Sequence, residues 1–250
     1  MTLALILSSL IGLSMGMLGA GGSLVAIPIL KYVAGLPTKE AVATSLATVA
    51  MVALIGGIQA WREQRMKIKE ALTFAVVSSL GTLAGVRLAV YMSDRLQMGI
   101  FIAVMVYAVA AMINKKRTEK DQPTPATAIA QGQFKSLVQT LTVGILTGIV
   151  GVGGGFLIVP ALVAIYGMPM KVATGTSLAI IFLNSVLAFS AYATVVQLNW
   201  IFTAQFVATA LIGLAVGMAL NRKLPTERIE QLFQAALILV TLVTILQESR

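Results

Sequence analysis

The chain has 250 residues, 58% of them hydrophobic and 11% charged, with a mean hydropathy of +0.93. A soluble domain carries about 25% charged residues, so this chain has too little polar side chain to cover a water-facing surface and reads as an integral membrane protein. Its Lys and Arg number 18 against nine acidic residues. In a polytopic membrane protein that excess collects in cytoplasmic loops, so the basicity calls for no nucleic-acid partner. There is no cysteine and no histidine, which excludes disulfides, thiol nucleophiles, imidazole metal sites and histidine general bases together.

In chain order the apolar runs form eight blocks, 2–34, 41–60, 71–92, 97–113, 136–166, 172–196, 201–220 and 229–247. Six have the length of one crossing. Blocks 2–34 and 136–166 are too long, since the first as a single helix would measure about 50 Å against a hydrocarbon core of about 30 Å. Glycines interrupt both. Each is therefore expected to be a broken or re-entrant element, tolerated at membrane depth only where protein or a water-filled cavity satisfies the freed backbone. The expected fold is all-α. Residues 114–135, with Lys115, Lys116, Arg117 and Lys120 and a stretch of Pro, Thr, Ala and Gln, predict a flexible cytoplasmic linker between two transmembrane repeats, 1–113 and 136–250. The first residues lack a basic n-region, which speaks against a cleaved signal peptide.

An offset of 132 residues aligns the halves without a gap. Gly12, Gly16, Gly19, Gly21, Gly22 and Pro28 meet Gly144, Gly148, Gly151, Gly153, Gly154 and Pro160. Gly35 and Pro37 meet Gly167 and Pro169, and Thr44-Ser45-Leu46-Ala47 meets Thr176-Ser177-Leu178-Ala179. Matched glycines and prolines are a strong sign of internal duplication. The charges orient the copies. Residues 61–70 carry Arg62, Arg65, Lys67 and Lys69, while their mates at 193–202 carry none; the loop at Asp94 and Arg95 is balanced, while its mate holds Arg222, Lys223 and Arg228. The basic bias alternates between mates, so the positive-inside rule favours an inverted repeat with residues 61–70, 114–135 and 221–228 cytoplasmic. Inversion needs an odd number of crossings per half. A glycine-broken element that dips and returns, followed by three spans, satisfies it, and both termini then face outward.

The cores Gly19-Ala20-Gly21-Gly22-Ser23 and Gly151-Val152-Gly153-Gly154-Gly155 stand mid-block. Glycine tolerates positive φ and close approach, so each core can end one half-helix and begin another. A helix beginning there presents unpaired N–H groups and a partial positive charge, which is an anion site needing no charged side chain. The bland alternative is helix packing, and it is the favoured reading for Gly12, Gly16, Gly144 and Gly148, spaced as small-xxx-small contacts. Thr44, Ser45, Thr176 and Ser177 offer hydroxyls to an anion's oxygens or, with opened carbonyls, to Na⁺; the competing reading bonds each hydroxyl to the carbonyl one turn back. Asn184 reads equally as a further binding residue or as interhelical glue, with Gln59 and Gln205 weaker cases.

All nine carboxylates fall in loops or at span ends, so the usual side-chain proton relay has no parts. No cofactor is implied. Coupling is left to Na⁺, to H⁺ carried by substrate or water, to anion exchange or to the substrate's own gradient. Arg87 and Lys31 read as side chains that snorkel to the interface, or as anion attractors if turned inward. Trp61, Trp200 and Tyr91 read as interfacial anchors.

Two halves that each open with G-x-x-x-G-x-x-G-x-G-G followed by Pro, then Thr-Ser-Leu-Ala, resemble the sulfite exporter TauE/SafE family of membrane permeases across nearly the whole chain. The resemblance implies a multi-pass protein of the bacterial inner membrane that transports small sulfur-containing anions such as sulfite or organosulfonates. The expected binding residues are Gly19, Gly21, Gly22, Ser23, Thr44, Ser45, Gly151, Gly153, Gly154, Gly155, Thr176, Ser177 and Asn184, with alternating access as the mechanism. A passive anion channel of the same architecture is the alternative. An enzyme is not expected, since serine chemistry would need Lys31 far from its interface. The expected partners are the small anion and the lipid bilayer; the pattern is compatible with a homo-oligomer and does not require one.

Overall fold

The computed structural model describes residues 2–18, 22–118, 133–221 and 226–248, and among them every regular element is helical. Helix α1 (Thr2–Leu18) is followed by a mixed run made of a 3-10 turn (Gly22–Val25), the short α2 (Ala26–Pro28) and a π-helical stretch (Ile29–Val33). Then come α3 (Thr38–Arg62), α4 (Ile68–Tyr91), α5 (Asp94–Thr118), α6 (Gln133–Val150), α7 (Gly155–Tyr166), α8 (Met170–Ala193), α9 (Trp200–Asn221) and α10 (Thr226–Glu248). Among the described residues, α3, α4, α8 and the Trp200–Leu220 part of α9 are long and apolar enough to cross a membrane. They are two pairs of repeat mates. The chain is an integral membrane protein.

The second overlong block is broken at its glycine core, with α6 stopping at Val150 and α7 opening at Gly155; in the first, α1 is described to Leu18 and the next helical run from Gly22, and the expected break at Gly19 to Gly21 lies outside the described residues. Pro28 stands at the entry to the π-helical stretch and Pro160 inside α7, where each withholds an N–H from the ladder. Both runs end on a glycine in the left-handed region, Gly35 at φ 73 and Gly167 at φ 61. Pro37 and Pro169 then stand at the N-caps of α3 and α8 with extended backbone, so matched turns restart the helix in each half.

The most extensive helix contacts cross between halves. A Cβ on Gly12 would collide with the Ala210 carbonyl, and one on its mate Gly144 would collide with that of Ser78, the mate of Ala210. Gly16 against Leu214 repeats as Gly148 against Thr82, Gly81 against Leu141 as Gly213 against Ser9, and Gly85 against Ile145 as Gly217 against Leu13. The packing reading of these glycines holds: α1 lies backbone to backbone on α9, and α6 does the same on α4, each pair running parallel. Ser8 and Thr209 share a hydrogen bond between α1 and α9.

The mates α3 and α8 touch each other and run antiparallel. A Cβ on Gly56 would stand 3.4 Å from Leu178, and Gly175 lies against Ala60 and the Arg65 carbonyl. The Lys67 N–H donates to Thr176 Oγ1 at 3.1 Å, so α8 begins beside the loop that starts α4. Helix α6 also begins at that end, parallel to α4, and α7 returns to it, with the Tyr166 hydroxyl 3.4 Å from Thr73 Oγ1 near the start of α4. Helices α6 and α7 therefore form a hairpin that enters and leaves at one end. The C-terminal turns of α3 and α9 meet at this basic end around a cavity of about 550 Å³ lined by Ile55, Gln59, Arg62, Ala215 and Met218. At the opposite end, Lys39 Nζ donates to the Val90 carbonyl at 2.7 Å, and Lys31 Nζ and the Tyr32 hydroxyl both donate to Glu248 Oε2, at 2.9 and 2.8 Å.

Candidate functional site

Gly151, Gly153 and Gly154 hold φ of 71, 69 and 68, a left-handed series that only glycine adopts without strain. Gly154 is the N-cap of α7, and its carbonyl accepts the N–H groups of Leu157 and Ile158, each at 2.9 Å. Helix geometry leaves the N–H groups of Gly155 and Phe156 without an intrahelical acceptor. The break is pressed against both central helices. Gly151 faces Val42 of α3, while Gly153 faces Val49 of α3 together with Ile181 and Ser185 of α8. Val49 and Ile181 are repeat mates, so Gly153 sits where the two halves meet. On its other side Gly154 lies on Thr147, whose Oγ1 is turned to the Val143 carbonyl at 2.8 Å.

The last carbonyls of α6 are also held. Gln97, 2% exposed, donates from Nε2 to the Ile149 carbonyl at 2.8 Å and to the Tyr192 hydroxyl at 3.1 Å. Tyr192 in turn donates to the Gly148 carbonyl at 3.5 Å. These contacts satisfy acceptors that a helix C-terminus leaves open. A lone Gln and Tyr in apolar runs carry no repeat signal to flag this role.

Of the expected site residues, Gly19 and Gly21 lie outside the described residues, and Gly22 opens the 3-10 turn. The hydroxyls separate the two halves. Ser23, Thr44 and Ser45 are fully buried, and none of their oxygens has a hydrogen-bond partner among the described residues. Their counterparts are engaged: Thr176 Oγ1 accepts the Lys67 N–H, and Ser177 Oγ donates to the Thr174 carbonyl at 2.8 Å. Ser45 lies three and four residues from Val42 and Val49, on the α3 face that meets the break. Asn184 ties α8 to α4, donating from Nδ2 to Ser78 Oγ at 3.0 Å and accepting from Ser79 Oγ at 3.2 Å, as the glue reading has it.

Ser185 escapes the sequence reading because its mate is Ala53 and no repeat marks it. Its Oγ is buried, unpartnered and directed at the break, 3.0 Å from the place a Cβ on Gly153 would take. Its position directly after Asn184 in an apolar span was the available clue.

Among the described residues no Lys, Arg, Asp or Glu is buried, and no cluster of His, Cys, Asp or Glu could hold a metal ion. Lys31 is paired with Glu248 and Arg87 is exposed, so neither points to the break. Gln59 bonds Glu63 at 2.8 Å, and Trp61, Trp200 and Tyr91 are exposed. The polarity of the site is left to helix ends and hydroxyls.

The chain is 28% identical over 244 residues to the probable membrane transporter protein YunE of Bacillus subtilis strain 168, covering 90% of this chain and 89% of that one. It is 30% identical over 221 residues to a probable membrane transporter protein of Xylella fastidiosa strain Temecula1, covering 88% and 84%. No solved structure matches. The family profile described as sulfite exporter TauE/SafE matches residues 4–244, and the chain belongs to that family of membrane transporters.

Proposed function

We propose that the protein is a secondary transporter that moves small sulfur-containing anions, such as sulfite or organosulfonates, across a bacterial inner membrane by alternating access. The observation that carries the reading is the break at Gly151 to Gly155, pressed against the central pair α3 and α8 beside the unpartnered hydroxyls of Ser45 and Ser185. Unpaired N–H groups at the start of α7 and nearby hydroxyls suit the oxygens of a small oxyanion. Ser23 and Thr44 supply further donors from the first half, and Thr176, Ser177 and Asn184 hold the surrounding frame.

The antiparallel contact of α3 with its own mate α8 supports an inverted repeat, because a two-fold axis in the membrane plane is what places corresponding spans side by side and head to tail. The reciprocal glycine contacts support the same axis, since under a two-fold operation residue i meets j as j's mate meets i's. The α6–α7 hairpin reads as a re-entrant element entering from the cytoplasm, where the basic residues of 61–70 stand. Rocking of the α1–α9 and α4–α6 pairs against the central helices then exposes the anion to either side.

Purified protein in liposomes tests this. Uphill accumulation of sulfite or a simple organosulfonate such as methanesulfonate, driven by an imposed ion or anion gradient, is the expected result. Flux that only dissipates its own gradient overturns coupled transport and leaves a channel or an uncoupled carrier, and no flux of any sulfur anion overturns the substrate class.

A further inference from the structure

Resting on the anion-transport reading above, we infer that the site accepts singly charged anions and excludes dianions, so that sulfite passes as hydrogensulfite and sulfate is refused. The argument is electrostatic. The cost of taking an ion out of water grows with the square of its charge, and for a singly charged group it already amounts to several kcal/mol in a protein interior. A dianion pays about four times the penalty of a monoanion of equal size by the same Born scaling. Something fixed and positive must offset it.

The positive charge available is small. Among the described residues no cationic side chain is buried, Lys31 is neutralised by Glu248 at 2.9 Å, and Arg87 is exposed. The N-terminus of α7 supplies about half an elementary charge. The helical run Ser23–Val33 adds at most another half, so the two together balance about one negative charge. What remains is dipolar: the buried, unpartnered hydroxyls of Ser185 and Ser45 beside the break, and those of Ser23 and Thr44 in the first half. Hydroxyls donate one proton each and bring no net charge. Such a site satisfies the oxygens of a monoanion and leaves a dianion about one charge short.

Among the described residues, the faces around the break carry no group that would change this with pH. Helix α3 presents Val42, Ser45 and Val49, α8 presents Ile181 and Ser185, and α6 presents Thr147. Tyr192, at the Gly148 carbonyl, is a phenol and stays neutral through the physiological range. Any pH dependence of binding between pH 6 and 9 therefore belongs to the ligand.

Calorimetric titration of the detergent-purified full chain with methanesulfonate, ethanesulfonate, sulfite and sulfate, in choline salts and again in sodium salts, tests the inference. Sulfite affinity should fall about tenfold for each pH unit above the second pKa of sulfurous acid, following the hydrogensulfite fraction. Sulfate should bind at least 100-fold more weakly than the best monoanion at every pH. Ser185→Ala should weaken that monoanion about tenfold, the loss of one charge-assisted hydrogen bond, with the pH slope unchanged. Sulfate binding as tight as a sulfonate in either salt, or sulfite affinity that is flat or rises with pH, overturns the inference and leaves the transporter reading standing. Unchanged affinity in Ser185→Ala overturns the placement of the ligand at this break. No binding by any of the four anions overturns the substrate class itself, and this inference with it.

Discussion

Gly153 meets Ser185 so closely that a Cβ on the glycine would stand 3.0 Å from the serine Oγ. That approach joins the second glycine break to the centre of α8, and the left-handed φ of 69 at Gly153 makes the residue intolerant of any side chain. Gly153→Ala should lower stability by about 1–3 kcal/mol, from left-handed strain together with overlap on Val49, and should abolish anion flux. Gly99→Ala is the control. Nothing lies within 4 Å of its Cβ position, so a helix-interior alanine there should be neutral or stabilising by about 0.5–1 kcal/mol. Thermal unfolding in detergent and liposome flux measure both.

Gly12→Ala and Gly144→Ala should behave alike. Each pushes a methyl into a carbonyl of the partner helix, Ala210 in one case and Ser78 in the other, and each should cost about 1–3 kcal/mol by overpacking. A large effect from one and none from the other in unfolding experiments would contradict the reciprocal packing of α1 on α9 and α6 on α4.

Ser45→Ala and Ser177→Ala should differ although the residues are mates. Ser45 has no partner to lose, so its removal should leave stability unchanged or slightly raised while anion affinity drops about tenfold. Ser177 is already bonded to the Thr174 carbonyl, and its removal should change affinity little. Parallel calorimetry and thermal unfolding of the two variants decide the matter.

Asn184→Leu should lower stability by about 1–3 kcal/mol, because Ser78 and Ser79 lose a buried partner. The triple variant that also replaces both serines by alanine should recover part of that loss, and a double-mutant cycle reads the coupling.

Glu248 closes the end opposite the basic residues of 61–70, and its carboxyl lies beyond the apolar block 229–247. Partial burial raises its pKa, but hydrogen bonds from Lys31 and Tyr32 and the charges of Lys31 and Arg95 outweigh that and hold it below the ordinary glutamate value. A depressed folded pKa means the stabilisation is present in full above the unfolded value and fades as pH falls through the folded one. Glu248→Gln should therefore cost under about 1 kcal/mol at neutral pH, given partial exposure. The gap in thermal midpoint between variant and wild type should close as the pH falls below about 4.

Membrane insertion, the duplication and the position of the helix break at Gly151 to Gly155 were legible in the residues themselves. They follow from composition and from where glycine and proline fall, and those are local properties of the chain. The packing role of Gly12, Gly16, Gly144 and Gly148 was legible for the same reason, since a residue without Cβ at four-residue spacing is recognisable before its partner is known. What tertiary structure decided is which hydroxyls are spoken for. Thr44-Ser45 and Thr176-Ser177 are identical pairs at matched positions, yet the second is engaged by the Lys67 N–H and the Thr174 carbonyl and the first is not. That Asn184 bonds Ser78 and Ser79 emerged only from the folded chain, and Ser185 joined the candidate site only because Gly153 is folded against it. Ser177 is satisfied locally, but Thr176 and Asn184 find partners more than 100 residues away in the chain, and no repeat, period or motif encodes those.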